Sequence, residues 1–183
     1  MRQGGILCLD LAGMATGWAY GHPGDAAPSW GVWRPERRVG EPDIGRGQKG
    51  HVLETALDDI IEDRRPVGIF YEAPLAADQQ GNTDTAFILI GLAMIVEATA
   101  DRWRIPVKSR GSGTYRSAVI GRSQLTEEER QVRPKLTVKT AIVAPWIASM
   151  GWDITDHNAA DAAVIFAYET GIRHANFGRR RMA

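Results

Sequence analysis

An apolar run at residues 6–11 opens the chain; it has the length of a strand and carries a single acid, Asp10. Small residues at 12–15 then turn the chain, and residues 16–20 read as a second strand, so the pair forms a hairpin. Apolar residues on both sides of Asp10 imply a strand covered on both faces, where a carboxylate needs a cation, a donor cluster or a metal to compensate it; the alternative is that Asp10 merely ends the strand and caps the turn. Residues 29–34 give a third strand after a loop at 22–24, and residues 40–50, rich in glycine and charge, read as loop. From 51 to 64 the apolar positions fall at helical spacing with an acidic outer face, and Pro66 ends that helix.

The pattern then repeats with variations. Residues 67–72 form a buried strand that ends in an acid, Glu72, and Ala73-Pro74 closes it. Asn82 or Thr83 caps a long helix reaching about Trp103, whose apolar residues run nearly all the way round; such a helix is buried on more than one side. Residues 105–108 are a short last strand. The segment 102–122 carries six basic residues among glycines and serines and reads as a flexible phosphate-binding stretch, with a plain surface loop as the alternative. Glu127 to Glu129 are a solvated helix start. Pro134 begins a helix that ends at Gly151 and places Lys135 and Lys139 on one side. The last helix starts near Thr155-Asp156 and holds Asp161 within an alanine-rich face.

Composition narrows the class. The length of 183 residues suits one domain, taken as residues 1–174, followed by a basic tail at 175–183 read as disordered. Net charge is zero, but residues 1–100 hold 8 basic and 14 acidic side chains and the remainder 14 and 8. That asymmetry suits carboxylates for a metal in one region and phosphate contacts in the other, or a solvated surface with no partner. Cys8 is the single cysteine, which excludes an intrachain disulfide and points to a reducing compartment. The N-terminus lacks a signal pattern, and the most apolar segment, residues 86–96, falls short of the roughly twenty needed to span a bilayer. A soluble, cytoplasmic protein with no membrane partner is expected.

Three acids thus sit on the first strand (Asp10), on the next core strand (Glu72) and in the last helix (Asp161). If those two strands are neighbours and the last helix lies over them, the carboxylates converge, and hard divalent cations relieve their repulsion. No stretch has Cys/His zinc spacing.

The motifs ILCLDLAGMATGWAY, VGIFYEAP and HNAADAAVIFAYE resemble the three acidic motifs of RuvC-type Holliday junction resolvases, within the RNase H-like superfamily. The segment from Tyr115 to Arg122 and the helix from Lys135 are similar to the shorter phage-type members. The resemblance spans residues 6–171. It implies an α/β fold with a mixed five-stranded sheet, three antiparallel strands followed by parallel ones, flanked by helices. It also implies a homodimeric, metal-dependent endonuclease on branched DNA. Two Mg²⁺ or Mn²⁺ ions about 3.5–4 Å apart would be held by Asp10, Glu72 and Asp161. Arg110, Arg116, Lys135 and Lys139 would position the phosphate backbone. Where the bacterial family places an acid or histidine three residues before the last aspartate, this chain has Asn158. His157 is taken as the fourth metal ligand and catalytic residue, and Asp156 as an N-cap, with the reverse assignment as the rival.

Two other classes fit parts of the pattern: a catalytically silent RNase H-like binding module, and an actin-like ATPase or kinase domain. Against the latter, the chain is short for two such domains, and Glu72 stands where a glycine-rich phosphate loop belongs.

Overall fold

The computed structural model describes residues 4–37, 40, 44–74, 83–132 and 134–172. Five strands form one sheet: β1 (Ile6–Asp10), β2 (Thr16–Gly21), β3 (Ser29–Trp33), β4 (Gly68–Glu72) and β5 (Val107–Arg110). Their order is β3-β2-β1-β4-β5. The first three strands are antiparallel neighbours, and β4 and β5 add in parallel. The helices are α1 (Arg46–Arg64), α2 (Thr83–Arg102), α3 (Ser112–Ile120), α4 (Glu127–Gln131), α5 (Ala144–Ser149) and α6 (His157–Thr170). The proposed cap Asn82 and the basic tail lie outside the described residues.

Strand alternation sorts the core into two halves. Leu7, Leu9, Ile69 and Tyr71 point to one face and pack with Leu53, Leu57, Leu92 and Val96 of α1 and α2. Ile6, Cys8 and Ala19 point to the other, against Tyr115, Ile142, Trp146 and Phe166 of the later helices. Every residue of β1 is buried, as a strand covered on both faces requires. Truncating Leu57, which is fully buried, to alanine costs about 2–5 kcal/mol by lost transfer energy and a residual cavity.

Several boundaries differ from the sequence reading, each for a local reason. The loop expected up to Gly50 ends earlier, because α1 begins at Arg46. Gly50 weakens the helix by itself, but a Cβ there would stand 2.7 Å from the Ile95 δ-carbon, so its absence lets α1 and α2 approach. The basic stretch 102–122 is not a flexible loop: its first part completes α2, Val107–Arg110 pairs with β4, and Ser112–Ile120 is helical. The last strand therefore runs two residues further than expected.

The helix expected from Pro134 starts only around Val138, in a π-helical turn (Lys139–Val143) where the Ala144 N–H bonds back to the Lys139 carbonyl. Pro145 follows, without an N–H and with a ring that would crowd the Ala141 carbonyl in regular α spacing. The wider turn relieves that crowding. Lys135 lies outside the helix and shares no helical face with Lys139.

By length and composition α2 is apolar enough to cross a membrane. In this fold it instead packs Ala86, Leu92, Ala93 and Val96 into the core and leaves Phe87, Ile90 and Met94 exposed.

Candidate active site

Asp10 ends β1 and Glu72 ends β4, and the register Leu9↔Tyr71 makes the two acids neighbours across a parallel ladder. Alternation from Cys8 and Phe70 turns both toward the α6 face. Across the antiparallel ladder Asp10 faces Gly17. A Cβ on Gly17 would come within 2.1 Å of the Asn158 carbonyl carbon, so only glycine lets the first turn of α6 rest there. The alanines at 159, 160, 162 and 163 keep the rest of the helix close to the sheet. One turn on, Asp161 is 2% exposed and lies over the strand ends.

Two cations enter this acidic cluster. Lys139 Nζ lies 3.1 Å from Asp10 Oδ2 and 3.1 Å from Asp161 Oδ2, and donates to Asn158 Oδ1 at 2.6 Å. Arg116, from α3, donates through Nε to Asp161 Oδ1 at 3.1 Å, with Nη2 3.0 Å from the same oxygen and 3.6 Å from Glu72 Oε2. Each oxygen of Asp161 thus meets a different cation. The Lys139 ammonium neutralises Oδ2 but lies off the hydrogen-bond direction, so that buried oxygen is charge-compensated without a hydrogen bond.

Burial, and then the charge of Asp161, push the Asp10 carboxyl up to about 7; Lys139 opposes the shift and Glu72 adds to it. Burial disfavours the charge on Lys139, yet Asp10 and Asp161 outweigh it and hold the ammonium above lysine's ordinary value. Lys139 faces two carboxylates at once, whereas Asp10 shares its one bound lysine with a rival.

The other expected site residues are dispersed. Asp156 caps α6, accepting from the Asn158 and Ala159 N–H groups at 2.8 and 3.2 Å, and pairs with Arg34. Burial disfavours its charge, but those two N–H groups and Arg34 overcome it and keep the carboxyl below its usual range. His157 is exposed at the first position of α6, and among the described residues no recorded contact ties it to the acids. Arg110 sits on edge strand β5 opposite Glu72 in register, 3.8 Å from Glu169 and over the Tyr168 ring. Lys135 is exposed. The sequence reading missed that Arg116 and Lys139 would stand among the acids, and that Asn158 would bind Lys139. Only a full three-dimensional arrangement joins residues 129 positions apart.

Carboxylate oxygens suit a hard cation such as Mg²⁺ or Mn²⁺, and the mutual repulsion expressed at Asp10 is the kind such an ion relieves. Yet among the described residues no three acid, histidine or cysteine side chains stand close enough to hold one ion together. The donor chemistry fits a divalent ion, while two of the coordinating directions are already taken by Lys139 and Arg116.

The five-stranded mixed sheet of order β3-β2-β1-β4-β5, flanked by helices, is an RNase H-like fold of the kind found in RuvC-type resolvases. It superposes on Thermus thermophilus RuvC in complex with a Holliday junction substrate with a TM-score of 0.64 at 14% identity, covering 93% of this chain and 98% of that one. A second Thermus thermophilus RuvC structure gives 0.58 at 14% identity, with 92% and 97% covered. The yeast mitochondrial Holliday junction resolvase Ydc2 gives 0.56 at 13%, with 91% and 76% covered. No family model and no curated protein matches the sequence.

Proposed function

We propose that the chain is a metal-dependent endonuclease that hydrolyses phosphodiester bonds in branched DNA such as Holliday junctions. The observation that carries this reading is the convergence of Asp10, Glu72 and Asp161 on a RuvC-type fold. Asp10, Glu72 and Asp161 would hold Mg²⁺ or Mn²⁺, which supplies Lewis-acid polarisation of the scissile phosphate and a more acidic bound water. In the hydrolysis a water oxygen bonds to phosphorus, the bond to the sugar oxygen breaks, and that oxygen takes up a proton. His157, open to solvent one turn before Asp161, is the group we assign to supply the proton. Arg110 and Lys135, both exposed, would hold neighbouring phosphates, with Arg116 and Lys139 acting at the scissile one.

The exposed stripe of Phe87, Ile90 and Met94, at 59%, 40% and 65%, recurs every three or four residues along α2 and supports a homodimer. Ile90→Lys should then sediment as a monomer where the parent sediments as a dimer. The single buried Cys8 suits a reducing compartment such as the cytoplasm. A specific observation favours a second reading, a silent module that binds branched DNA without cutting: Arg116 and Lys139 already compensate the acids.

One experiment separates the two. Labelled junction, Y-fork, flap and duplex substrates are incubated with Mg²⁺, Mn²⁺ or EDTA. Nicking of branched substrates only with metal is expected. Asp10→Asn should lower the rate by about a thousandfold, equivalent to several kcal/mol of transition-state stabilisation, while junction binding persists. Binding without any nicking would establish the silent module.

A further inference from the structure

On the face of the sheet turned away from the three acids, an open groove of about 400 Å³ runs between α1 and the strands β2 and β3. Its floor is aromatic. Trp18 stands opposite Leu9 in register and so points to the α1 side, whereas Asp10 points to the other. A Cβ on Gly31 would stand 2.6 Å from the Trp18 indole, so the absence of a side chain lets that ring lie across β3. There it stacks on Trp33, with ring centroids 6.0 Å apart and 28° between their planes. Both indoles are only half-buried. The far wall is a stripe of α1 at helical spacing, Ala56, Asp59, Ile60 and Asp63. The small side chain of Ala56 leaves the gap between helix and indoles unfilled.

The polar lining is acidic and incompletely matched. Arg64, the cation of the groove, is engaged twice: it lies 2.6 Å from Asp63 and 5.6 Å over the Tyr20 ring. Asp59 is exposed, and among the described residues no cation pairs with it. Two carboxylates against one guanidinium leave a negative charge beside two indole faces. That combination attracts a cation, because indole is the best ring for a cation–π contact and the carboxylate adds charge-assisted hydrogen bonds. It repels phosphate, so the groove is no path for nucleic acid. A guanidinium satisfies both walls at once, since its plane stacks on an indole while its fork of N–H groups meets a carboxylate. An ammonium is a point charge and does only one of these well.

We infer that this groove docks an arginine-bearing segment of a partner protein, with the guanidinium stacked on the Trp18 and Trp33 indoles and paired with Asp59. The occupant is a protein segment rather than a free small molecule, because small-molecule sites enclose most of their ligand. This groove instead lies open beside β3, the edge strand of the sheet, where a longer chain can pass and add contacts. Docking there leaves the Asp10 face of the sheet clear and is independent of the chemistry at that face.

The test is binding of a fluorescein-labelled glycine–serine peptide carrying arginines to the full chain, followed by anisotropy. The same peptide with lysine or citrulline in place of arginine is measured beside it. Indole N–H signals in nitrogen-edited NMR spectra report where the peptide sits. The arginine peptide should bind and shift the signals of Trp18 and Trp33, while the buried Trp146 stays in place. The lysine peptide should bind more weakly, and the citrulline peptide, which lacks the charge, not at all. Asp59→Asn, a change at an exposed residue, should weaken binding about tenfold, and Trp33→Leu, checked for folding by circular dichroism, by about as much. Asp58→Asn, on the same helix but facing Arg102, should bind like the parent. No binding of the arginine peptide to the parent at millimolar concentration would overturn the inference, as would binding undiminished by Asp59→Asn. Equal binding of the lysine peptide would overturn the choice of guanidinium. Free arginine binding as tightly as the peptide would make this a small-molecule site, and oligothymidine shifting the two indole signals would make it a nucleic-acid path; either overturns the docking of a protein segment.

Discussion

Among the carboxylate–cation contacts of the described residues, two clusters have almost the same pairings and very different surroundings. Between α1 and α2, Arg102 lies 2.6 Å from Asp58 and 3.1 Å from Glu54, and the Trp103 indole N–H donates to Asp58 at 2.6 Å. Beside β1, Arg116 lies 3.0 Å from Asp161 and Lys139 lies 3.1 Å from it. Solvent separates the two. The Arg102 side chain is 51% exposed, whereas Asp161 is 2% exposed. At the first cluster water already solvates every charge, so the pairing replaces one good environment with another. At the second, each acid has lost water and relies on a cation that a neighbour also uses. The first cluster joins two helices at the rim of an apolar core. The second holds three like charges together at some cost in stability, and the residues around it are shaped to keep it assembled.

The largest expected effect comes from the residue that brings the buried cluster together. Gly17→Ala places a methyl 2.1 Å from the Asn158 backbone, and no side-chain rotation relieves a contact with main chain. The first turn of α6 must lift, carrying Asn158 and Asp161 away from Asp10. A loss of about 3 kcal/mol in urea unfolding is expected, together with loss of Mn²⁺ binding. A variant as stable as the parent would show that the sheet and α6 do not meet as closely as described.

Asp10 ranks next, and here the sign matters. Its folded pKa of about 7 exceeds the unfolded value of 3.8, so the folded state binds more protons than the unfolded one between those limits. Stability therefore falls as pH rises from about 4 to about 7, and stays lower above it. Asp10→Asn carries no such penalty. In EDTA it should unfold at a higher temperature than the parent at pH 8, by an amount on the order of 2 kcal/mol, with the gap closing toward pH 4. A gap that widens on acidification would mean that Lys139 stabilises ionised Asp10 more than burial and its neighbours oppose it.

How much of this was legible in the chain follows from the range of each interaction. Asp10 and Glu72 stand out because an acid interrupts or ends an apolar run, and Asp161 because it lies in a row of alanines; each signal needs only its own neighbours. The arrangement of the strands in one mixed sheet was expected only through the resemblance to RuvC-type resolvases, because the spacing of those runs does not say which strands are neighbours. Helix α1 began earlier than expected because Gly47 and Gly50 read as loop, while the packing of Ile95 against Gly50 comes from a helix some forty residues away. Lys139 read as a phosphate contact on a helix shared with Lys135, but that helix starts after Thr137, whose Oγ1 accepts from the Thr140 N–H, and Lys135 is left outside it. Asn158 read only as a missing acid. Its two hydrogen bonds, to Ala15 and from Lys139, join three parts of the chain that no local pattern connects.

At the edge of the buried cluster, a smaller effect distinguishes its two neighbours. Asp156 receives two backbone N–H groups at the start of α6, so Asp156→Ala should cost about 1 kcal/mol of stability and leave nicking nearly unchanged. His157 is exposed at the first position of α6, so His157→Ala should melt with the parent. If it supplies the proton to the leaving oxygen, most nicking at neutral pH should disappear with it. Melting and nicking are measured on both variants. An inactive but fully stable Asp156→Ala would transfer the functional role to Asp156.

The smallest effect is expected at the exposed cluster, and it tests the comparison from its other side. The Trp103 N–H first, and then Arg102 against a slight burial cost, hold the Asp58 carboxyl below its usual range, so the geometry is favourable. Favourable geometry at a solvated site still yields little, because each group is well hydrated in the unfolded chain, and salt screens what remains. Arg102→Ala should therefore leave the melting temperature within the error of the scan, and added salt should erase any residual difference. The α1–α2 contact would persist through Leu53, Leu57, Leu92 and Val96, which supply the burial. A large drop in melting temperature, insensitive to salt, would show that the Arg102 stem packs on α1 as an apolar group, and that solvent exposure alone does not separate the two clusters.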